Sequence, residues 1–359
     1  MRKKYYILYI CAVLIVVVFS GGQVAANPPL FLYEDLGNLG GVPGYYAAGL
    51  REAGINDSGV VVGYSLTPSG KKHAFVKVPG KAMQDLGALA PSGSESHALA
   101  INNGGLVGGY YVDAGGTHAC FWTPSGQSYL FKGLGGTNSQ VTALNLSGYA
   151  VGVASVPSMQ HAQIRFPDGT VKDLGFLPGD FQSFAKSINN SNVIVGRSLS
   201  TAQVGRACIW TPSGVNFTIA PLFDTTNSYG NAINNGGTAV GSRGVTSYTA
   251  RAVLKPPGGT IQDLGNLGVT ESVADDINDS EWVVGYSNNS GGIAAFLWTP
   301  TSGMLDLNKR VVNLPAGLKL VYAPAINSKG EIVAFSLNGI CKLTPITDIS
   351  NIMLLLLDN

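Results

Sequence analysis

A short sequence that recurs seven times constrains the fold of this chain more than any other feature. Isoleucine or leucine is followed by asparagine at Ile55, Ile101, Leu144, Ile188, Ile233, Ile277 and Ile326. Successive copies are 46, 43, 44, 45, 44 and 49 residues apart. A repeat of this period is typical of solenoids, propellers and other arrays in which each unit packs on its neighbours. We therefore interpret residues 27–345 as one domain of seven repeats.

Each repeat contains four short strand-like segments. The first ends at the Ile-Asn pair and is followed by a turn rich in Asn, Asp and Gly, which favours a tight hairpin. The third segment ends at a proline and the fourth contains Asp-Leu-Gly or a degraded form of it. The second segment holds a glycine at one fixed position in six copies, which predicts a large neighbour against it or a β-bulge. These residues are Gly63, Gly109, Gly152, Gly196, Gly241 and Gly285, with Ala334 in the last copy.

The size of the repeat and the two ends of the array predict a closed ring. Four strands in about 44 residues match one blade of a β-propeller. An extra fourth segment lies at residues 30–40, before the first Ile-Asn pair, whereas the seventh copy lacks a clear one. We therefore predict an all-β fold, a seven-bladed β-propeller of four-stranded blades, with the N-terminal strand completing the last blade so that no sheet edge is left at the seam. An open or otherwise wound β-array is the alternative.

The first 26 residues have the layout of a secretory signal peptide. Three basic residues precede an apolar run over residues 5–19, and Val24-Ala25-Ala26 ends the segment. This arrangement predicts cleavage after Ala26 and export. An uncleaved anchor helix is the alternative, although the run is shorter than the roughly 20 residues that span a bilayer. The tail at residues 346–359 lies outside the repeats, and two roles stay open for it, a packed cap or a competing closing strand.

The composition favours short strands joined by turns and excludes one class of partner. The chain has 48 glycines among 359 residues, and only 12% of its residues are charged. Without residues 1–26 the basic residues number 22 − 3 = 19 against 21 acidic ones, a net charge of −2. A near-neutral chain without a basic cluster excludes nucleic acid. We expect an extracellular or periplasmic monomer with no membrane contact after signal cleavage and no cofactor.

The repeat resembles that of the HAF family, extracellular repeat proteins of bacteria named for a His-Ala-Phe motif. The similarity covers residues 33–345 and has three parts: AxxINxxGxVVGxS, HAFLWTP and DLGxLGG. The complete motif occurs once, at His73-Ala74-Phe75, and its first two letters remain at His118 and His161. The resemblance implies a secreted protein of propeller-like architecture. It implies no activity and no catalytic residues.

Three histidines and three cysteines each share one position of the repeat. A metal site would need His73, His118 and His161 to converge. Equivalent positions in neighbouring blades are about 15 Å apart, whereas zinc ligands lie about 2 Å from the metal, so we interpret these histidines as structural residues at the start of a strand. By the same argument the cysteines form no disulfide, and we expect them to be buried apolar residues. They are Cys120, Cys208 and Cys341.

Three tryptophans share another position. Trp122, Trp210 and Trp298 could form an aromatic platform for sugars. We favour a structural interpretation, in which each indole is a wedge between blades that faces the recurrent glycine, because tryptophan buries a large area and its N–H needs only one partner.

Five acidic residues cluster within eleven positions of the sixth repeat. Calcium requires six or more oxygen ligands, which such a cluster can supply in part. Its spacing matches no calcium loop, so we expect solvated turn residues and no metal. The cluster consists of Glu271, Asp275, Asp276, Asp279 and Glu281.

Recognition is the function that the repeat pattern favours. The sequence contains none of four catalytic or nucleotide-binding signatures: G-x-S-x-G, H-E-x-x-H, G-x-x-x-x-G-K-[ST] or a G-x-G-x-x-G followed by a helix. The loops between the second and third strands, and from the fourth strand to the next repeat, vary most, and variable loops on a regular scaffold usually carry binding. Our leading hypothesis is a non-enzymatic binding or interaction module for a glycan or protein. The candidates for ligand contacts are Tyr45, Tyr46, Phe181, Phe184, Tyr229, Tyr248 and Tyr322.

Two alternatives remain open. The first is a polysaccharide-directed hydrolase or lyase with acids around a central channel. Two carboxylates about 5 to 9 Å apart in a deep channel would favour it, and a mouth lined by Asn, Ser and Gly would argue against it. The second is a passive structural component of the cell envelope.

Overall fold

Seven four-stranded antiparallel sheets form a closed ring in the computed structural model, which describes residues 28–41, 52–87, 95–123, 127–130, 133–157, 159–214, 216–223, 227–244 and 249–347. The fold is a seven-bladed β-propeller, as the repeat predicted. The expected signal peptide, Tyr45, Tyr46, Tyr248 and the tail beyond residue 347 lie outside the described residues. Within those residues, no helix has the length and apolar character needed to cross a bilayer.

The strands follow one another outward from the axis within each blade. The innermost strands are β2 (Ala53–Ile55), β6 (Glu95–Ile101), β10 (Ser139–Leu144), β14 (Asp180–Ile188), β18 (Ser228–Ile233), β22 (Ser272–Ile277) and β26 (Leu320–Ile326). The second strands are β3 (Val61–Leu66), β7 (Val107–Asp113), β11 (Ala150–Val156), β15 (Ile194–Ser200), β19 (Ala239–Gly244), β23 (Val283–Asn289) and β27 (Ile332–Ser336).

The outer half of each blade completes the sheet. The third strands are β4 (Lys72–Lys77), β8 (Gly116–Trp122), β12 (Met159–Arg165), β16 (Gly205–Ser213), β20 (Ala250–Lys255), β24 (Gly292–Thr299) and β28 (Ile340–Pro345). The outermost strands are β5 (Gln84–Asp85), β9 (Ser128–Leu130), β13 (Val171–Asp173), β17 (Asn216–Pro221), β21 (Gln262–Asp263), β25 (Gly303–Asp306) and, in blade 7, β1 (Phe31–Asp35). We number the blades 1 to 7 from β2 onward.

The N-terminal strand closes the ring in the predicted way. β1 pairs antiparallel with β28, and Tyr33 lies opposite Leu343. The outer edge of β1 is covered by the segment after β25, because Asn313 accepts from the Tyr33 N–H (2.6 Å) and donates to its carbonyl (3.1 Å). A covered edge cannot pair with another chain.

A β-bulge explains the recurrent glycine. In blades 2 to 6 the pairing of the first two strands shifts by one residue beside the glycine. The shift brings a main-chain carbonyl of the first strand to within 1.9–2.0 Å of the place that a Cβ would take, so only glycine fits. Of the two predicted causes, the bulge applies in these blades. In blade 1 the first obstacle to a Cβ at Gly63 is the ring of Phe75, at 3.0 Å.

The Asp-Leu-Gly element ends the outermost strand. The Asp85 carboxylate accepts from the Gly87 N–H (2.6 Å), and Asp173 accepts from Gly175 in the same way (2.7 Å). The glycine has positive φ, 68° at both positions, and the intervening leucine points inward, buried at Leu174. The three residues therefore have separate structural roles, since the Asp and the Gly form the turn and the Leu anchors it in the core.

The tryptophans pack between blades, as predicted, but they do not face the glycine. Trp210 of blade 4 packs with Ile164 and Leu174 of blade 3 and donates its N–H to the Leu174 carbonyl (2.9 Å). It lies opposite Ile194 in the sheet, whereas Gly196 lies opposite Cys208. The glycine therefore faces the position two residues before the tryptophan. The three cysteines are buried and unpaired, and burial raises the pKa of each thiol.

Candidate functional site

Seven asparagines form a closed ring of hydrogen bonds at one end of the central channel. Each is the Asn of the Ile-Asn pair, and its Nδ2 donates to the main-chain carbonyl of its counterpart in the next blade. The pairs, given as donor to acceptor, are Asn56 to Asn102 (3.2 Å), Asn102 to Asn145 (3.0 Å), Asn145 to Asn189 (3.1 Å), Asn189 to Asn234 (3.1 Å), Asn234 to Asn278 (3.2 Å), Asn278 to Asn327 (3.1 Å) and Asn327 to Asn56 (2.9 Å). We call this set the asparagine hub.

The hub has little capacity left for a ligand. The Oδ1 of Asn189 accepts from the N–H groups of Ser191 and Val193, both at 3.0 Å, and the other hub residues show the same pattern in whole or in part. All seven side chains are buried. A cavity of about 200 Å³ lies at this end, lined by the Ile-Asn turns of every blade. Because the amide groups already have partners, the hub is a structural feature.

The other end of the channel is lined by side chains that do not repeat. A cavity of about 280 Å³ opens there, and its charged residues are Glu52, Lys186, Asp275 and Asp276. We call this end the channel mouth. The bulge creates its variety, because the extra residue of each bulged strand turns toward the axis. The residues at the bulge in blades 2 to 6 are Leu99, Thr142, Lys186, Asn231 and Asp275.

Two of the mouth residues also join neighbouring blades. Thr142 donates to the Ala185 carbonyl (2.9 Å), and Asn231 donates to the Ala274 carbonyl (2.7 Å). These bonds fix the side chains in place. The mouth therefore combines two hydrogen-bonded polar side chains with charged residues of both signs.

Asp276 is a carboxyl group whose pKa lies near neutrality. Its oxygens accept from the N–H groups of Ile277 and of Ile326 in blade 7, both at 2.9 Å. Part of the side chain reaches the channel surface, but its carboxyl group is enclosed. Burial raises its pKa to about 7, and the neighbouring charge of Asp275 adds to the rise, against the two hydrogen bonds.

A carboxylate, a histidine and a tyrosine meet where blades 1 and 2 reach the mouth. His97 is almost fully buried, its Nδ1 lies 2.7 Å from Glu52 Oε2, and the Tyr110 ring stacks on it at 4.7 Å. The Tyr110 hydroxyl points at the other Glu52 oxygen (3.5 Å), and burial with the Glu52 charge raises its pKa. Groups of these types can transfer protons when a substrate is within reach. Sequence reasoning missed this site because Glu52 and His97 belong to different repeats.

Of the four proposed aromatic contacts that lie among the described residues, the structure brings two together. The rings of Phe184 and Tyr229 both lie against Arg197, with their centroids 4.6 and 5.0 Å from its Cζ. Tyr322 packs edge-on against Tyr286. Phe181 lies at a separate bulge near the start of β14. Arg197 was not predicted.

The three histidines of the repeat pair with carboxylates. His73 and His161 lie 2.8 and 2.6 Å from Asp85 and Asp173, the aspartates of Asp-Leu-Gly in the same blades. His118 lies 2.9 Å from Asp113. Each histidine thus connects the third strand of its blade to a neighbouring strand or hairpin. This agrees with the prediction that the three histidines are structural residues.

The acidic cluster of the sixth repeat is dispersed over different neighbours. Glu271 accepts from the Tyr286 hydroxyl (3.2 Å), Asp279 from the Asn235 N–H (2.8 Å) and Glu281 from the Thr238 hydroxyl (3.0 Å). In the part of the chain that the structure describes, no three metal-ligating side chains lie together.

Comparisons with known proteins identify the architecture. No family model and no curated protein matches the chain. Among solved structures it is similar to a prolyl endopeptidase (TM-score 0.57, 11% identity, covering 79% of this chain and 45% of that one) and a streptogramin B lyase (0.51, 11%, 88% and 98%). It is also similar to TolB from Acinetobacter baumannii (0.45, 10%, 80% and 64%), so the chain spans less than two thirds of TolB. At 11% identity, the two structures with TM-scores above 0.5 show that the chain has a β-propeller fold and nothing more specific.

Proposed function

We propose that the chain is an exported, non-enzymatic propeller of the HAF-like kind that binds a polar ligand, a glycan or a protein, at the channel mouth. The observation that carries the proposal is the contrast between the two ends of the channel. One end repeats a single hydrogen-bonded residue seven times, as stability requires. The other presents non-repeating charged and polar side chains, and departures from a structural rule usually mark function.

The size and charge of the mouth favour the binding of one small polar group of a ligand over the enclosure of a whole ligand. Its volume of about 280 Å³ is at the lower limit of the roughly 300–1,000 Å³ of typical ligand pockets. It has room for one sugar ring or one side chain of a partner. Lys186 and Asp275 offer opposite charges to such a group.

A pair of matched lysine variants tests the proposal. Lys186 and Lys329 are both exposed, but Lys186 lines the mouth and Lys329 lies in the hairpin turn beside the hub. The purified chain would be applied to a glycan array, and each hit measured by calorimetry. We expect Lys186→Met to weaken binding at least tenfold and Lys329→Met to leave it unchanged. Equal affinities of the two variants would contradict binding at the mouth.

The group of Glu52, His97 and Tyr110 favours a second candidate, a polysaccharide-directed hydrolase or lyase. The observation that favours this candidate is the contact between buried His97 and Glu52, a carboxylate that lines the channel. If this candidate is correct, the wild-type chain releases new sugar ends from a polysaccharide and Glu52→Gln does not. Turnover that persists in Glu52→Gln would exclude this site.

A further inference from the structure

Arg197 is held by ring faces instead of by hydrogen bonds. It follows Gly196 in β15, and Phe184 lies opposite it in β14 while Tyr229 belongs to the next blade. The two rings lie within 5.0 Å of the guanidinium carbon. A guanidinium donates hydrogen bonds only through its edge, in its own plane, so contact with the rings leaves that edge as the group that can bind an anion.

This arginine has no anionic partner in the described part of the chain. Its Nε is shielded from solvent and forms no hydrogen bond. Arg206 of the same blade differs, since it pairs with Asp180 (2.8 Å) and donates to the Pro178 carbonyl (2.9 Å). An unsatisfied buried donor costs free energy. Arg197 is therefore placed at a cost to stability, whereas Arg206 contributes to it.

Two more arginines lie in the seam between blades 4 and 5. Arg243 of β19 lies directly opposite Arg251 of β20, and like charges in that position repel each other. Ser198 in blade 4 and Ser287 in blade 6 occupy the same repeat position as Arg243. Each serine hydroxyl accepts a hydrogen bond from a main-chain N–H of the preceding blade. By analogy, the Arg243 side chain of blade 5 faces blade 4. Its Nε is also shielded without a partner, and among the described residues no carboxylate pairs with either arginine.

We propose that this seam is a subsite for the carboxylate of an acidic saccharide. A carboxylate is planar and matches the edge of a guanidinium with two parallel hydrogen bonds. The Tyr229 ring is 38% exposed beside the arginine and can stack against the apolar face of a sugar. Together the rings and the unpaired positive charges favour a uronic acid residue over a neutral sugar. The inference rests on the proposal that the chain binds a polar ligand, not on the place of binding at the mouth, and it specifies the ligand class.

Calorimetry with a defined oligosaccharide tests the subsite. The probe is an oligogalacturonate, and its fully methyl-esterified form is the neutral comparison. We expect the wild-type chain to bind the acid at least tenfold more tightly than the ester, and Arg197→Ala and Arg197→Lys each to remove that preference. Lysine keeps the charge but lacks the two-pronged edge, so its failure to rescue supports bidentate recognition.

Two readouts separate this role from a structural one. Arg206→Ala should lower the melting temperature and leave the affinity of the folded protein unchanged, whereas Arg197→Ala should leave the melting temperature unchanged or raise it. Unaltered affinity in Arg197→Ala, or equal binding of acid and ester, would overturn the subsite. Competition by inorganic phosphate at the same concentration as the sugar acid would overturn its saccharide specificity.

The same titrations distinguish the subsite from the wider proposal. Loss of binding in Lys186→Met with no preference for the acid would leave the mouth as the binding site and exclude the seam. Loss in Arg197→Ala with none in Lys186→Met would support the seam and exclude the mouth.

Discussion

Asp276 shows how one side chain connects the geometry of the ring to pH. It accepts N–H groups from its own blade and from blade 7, which fixes the innermost strands relative to each other. Because burial raises its pKa to about 7, the folded chain holds this proton more tightly than the unfolded chain, in which an aspartate has a pKa of 3.8. Ionisation of Asp276 therefore opposes folding.

We expect the stability of the chain to fall as the pH rises through this range. The protonated Asp276 makes its full contribution to stability below the unfolded-state pKa, and it is lost as the pH passes the folded-state pKa of about 7. Between about pH 5 and pH 8 the wild type should lose about 2 kcal/mol of unfolding free energy relative to Asp276→Asn. Urea unfolding of both proteins at the two pH values measures the difference. Parallel pH profiles would contradict the raised pKa.

At the scale of structural elements, the Ile-Asn hairpin turn both ends a strand and joins two blades. The Oδ1 of the asparagine forms the turn within its own blade, and the Nδ2 bonds to the next blade. Aspartate or serine could replace the first role but not the second, since neither offers an amide donor at that position. The occurrence of asparagine in all seven turns was the signal for the hub, and turn chemistry alone was an incomplete explanation.

Substitutions at Asn189 separate the two roles. Asn189→Asp keeps an oxygen that accepts from the N–H groups of Ser191 and Val193. It also puts a carboxylate oxygen where the wild-type Nδ2 lies, 3.1 Å from the Asn234 carbonyl oxygen, so two acceptors face each other. We expect it to lower the unfolding free energy by about 2 kcal/mol. Asn190→Ala, at the exposed neighbour that accepts one N–H from Leu146, should cost less. Chemical denaturation compares the two variants, and equal losses would show that the buried bond from Asn189 to Asn234 contributes no more than the exposed bond from Leu146 to Asn190.

At the scale of the whole molecule, closure of the ring joins strands from opposite ends of the sequence. β1 and β28 share one register, and the bond from the Ile346 N–H to the Leu30 carbonyl (2.8 Å) extends it. Asp35 lies directly opposite the unpaired Cys341. Opposed residues of antiparallel strands have Cα atoms about 4.5–5.5 Å apart, which suits a disulfide.

A cysteine at position 35 tests the closure. We expect Asp35→Cys, refolded under oxidising conditions, to form a disulfide with Cys341 and to stabilise the chain by about 2–5 kcal/mol over its reduced form. Non-reducing electrophoresis and mass spectrometry detect the bond, and denaturation gives the energy. Glu34→Cys is the control, because its side chain points to the other face of the strand and should remain a thiol. Cross-linking in both variants, or in neither, would contradict the register.

The architecture could be predicted from sequence because it depends on neighbours. The positions of Asn, Gly, Pro and Asp-Leu-Gly in each repeat determine strands and turns locally, and equal repeats must pack alike. The missing fourth segment of the last repeat even indicated the pairing of Tyr33 with Leu343.

The sites could be predicted only in part, because they depend on departures from the repeat that meet in space. Phe184 and Tyr229 were selected as irregular aromatic residues, but nothing in the sequence places Arg197 against both rings. Likewise, Glu52 and His97 occupy unrelated positions of two repeats. The direction in which a bulge turns Lys186 or Asp275 requires the three-dimensional pairing of strands.

The position of β1 in the seventh blade has a consequence for the order of assembly. Synthesis from the N-terminus produces β1 before any strand that pairs with it, and β28 is the last of the described strands to appear. Blades 1 to 6 can form one after another while β1 is still unpaired, because the other strands of its sheet are not yet synthesised. The ring then closes in a single late step, in which β1, synthesised before the other strands of its blade, is the last of the four to pair.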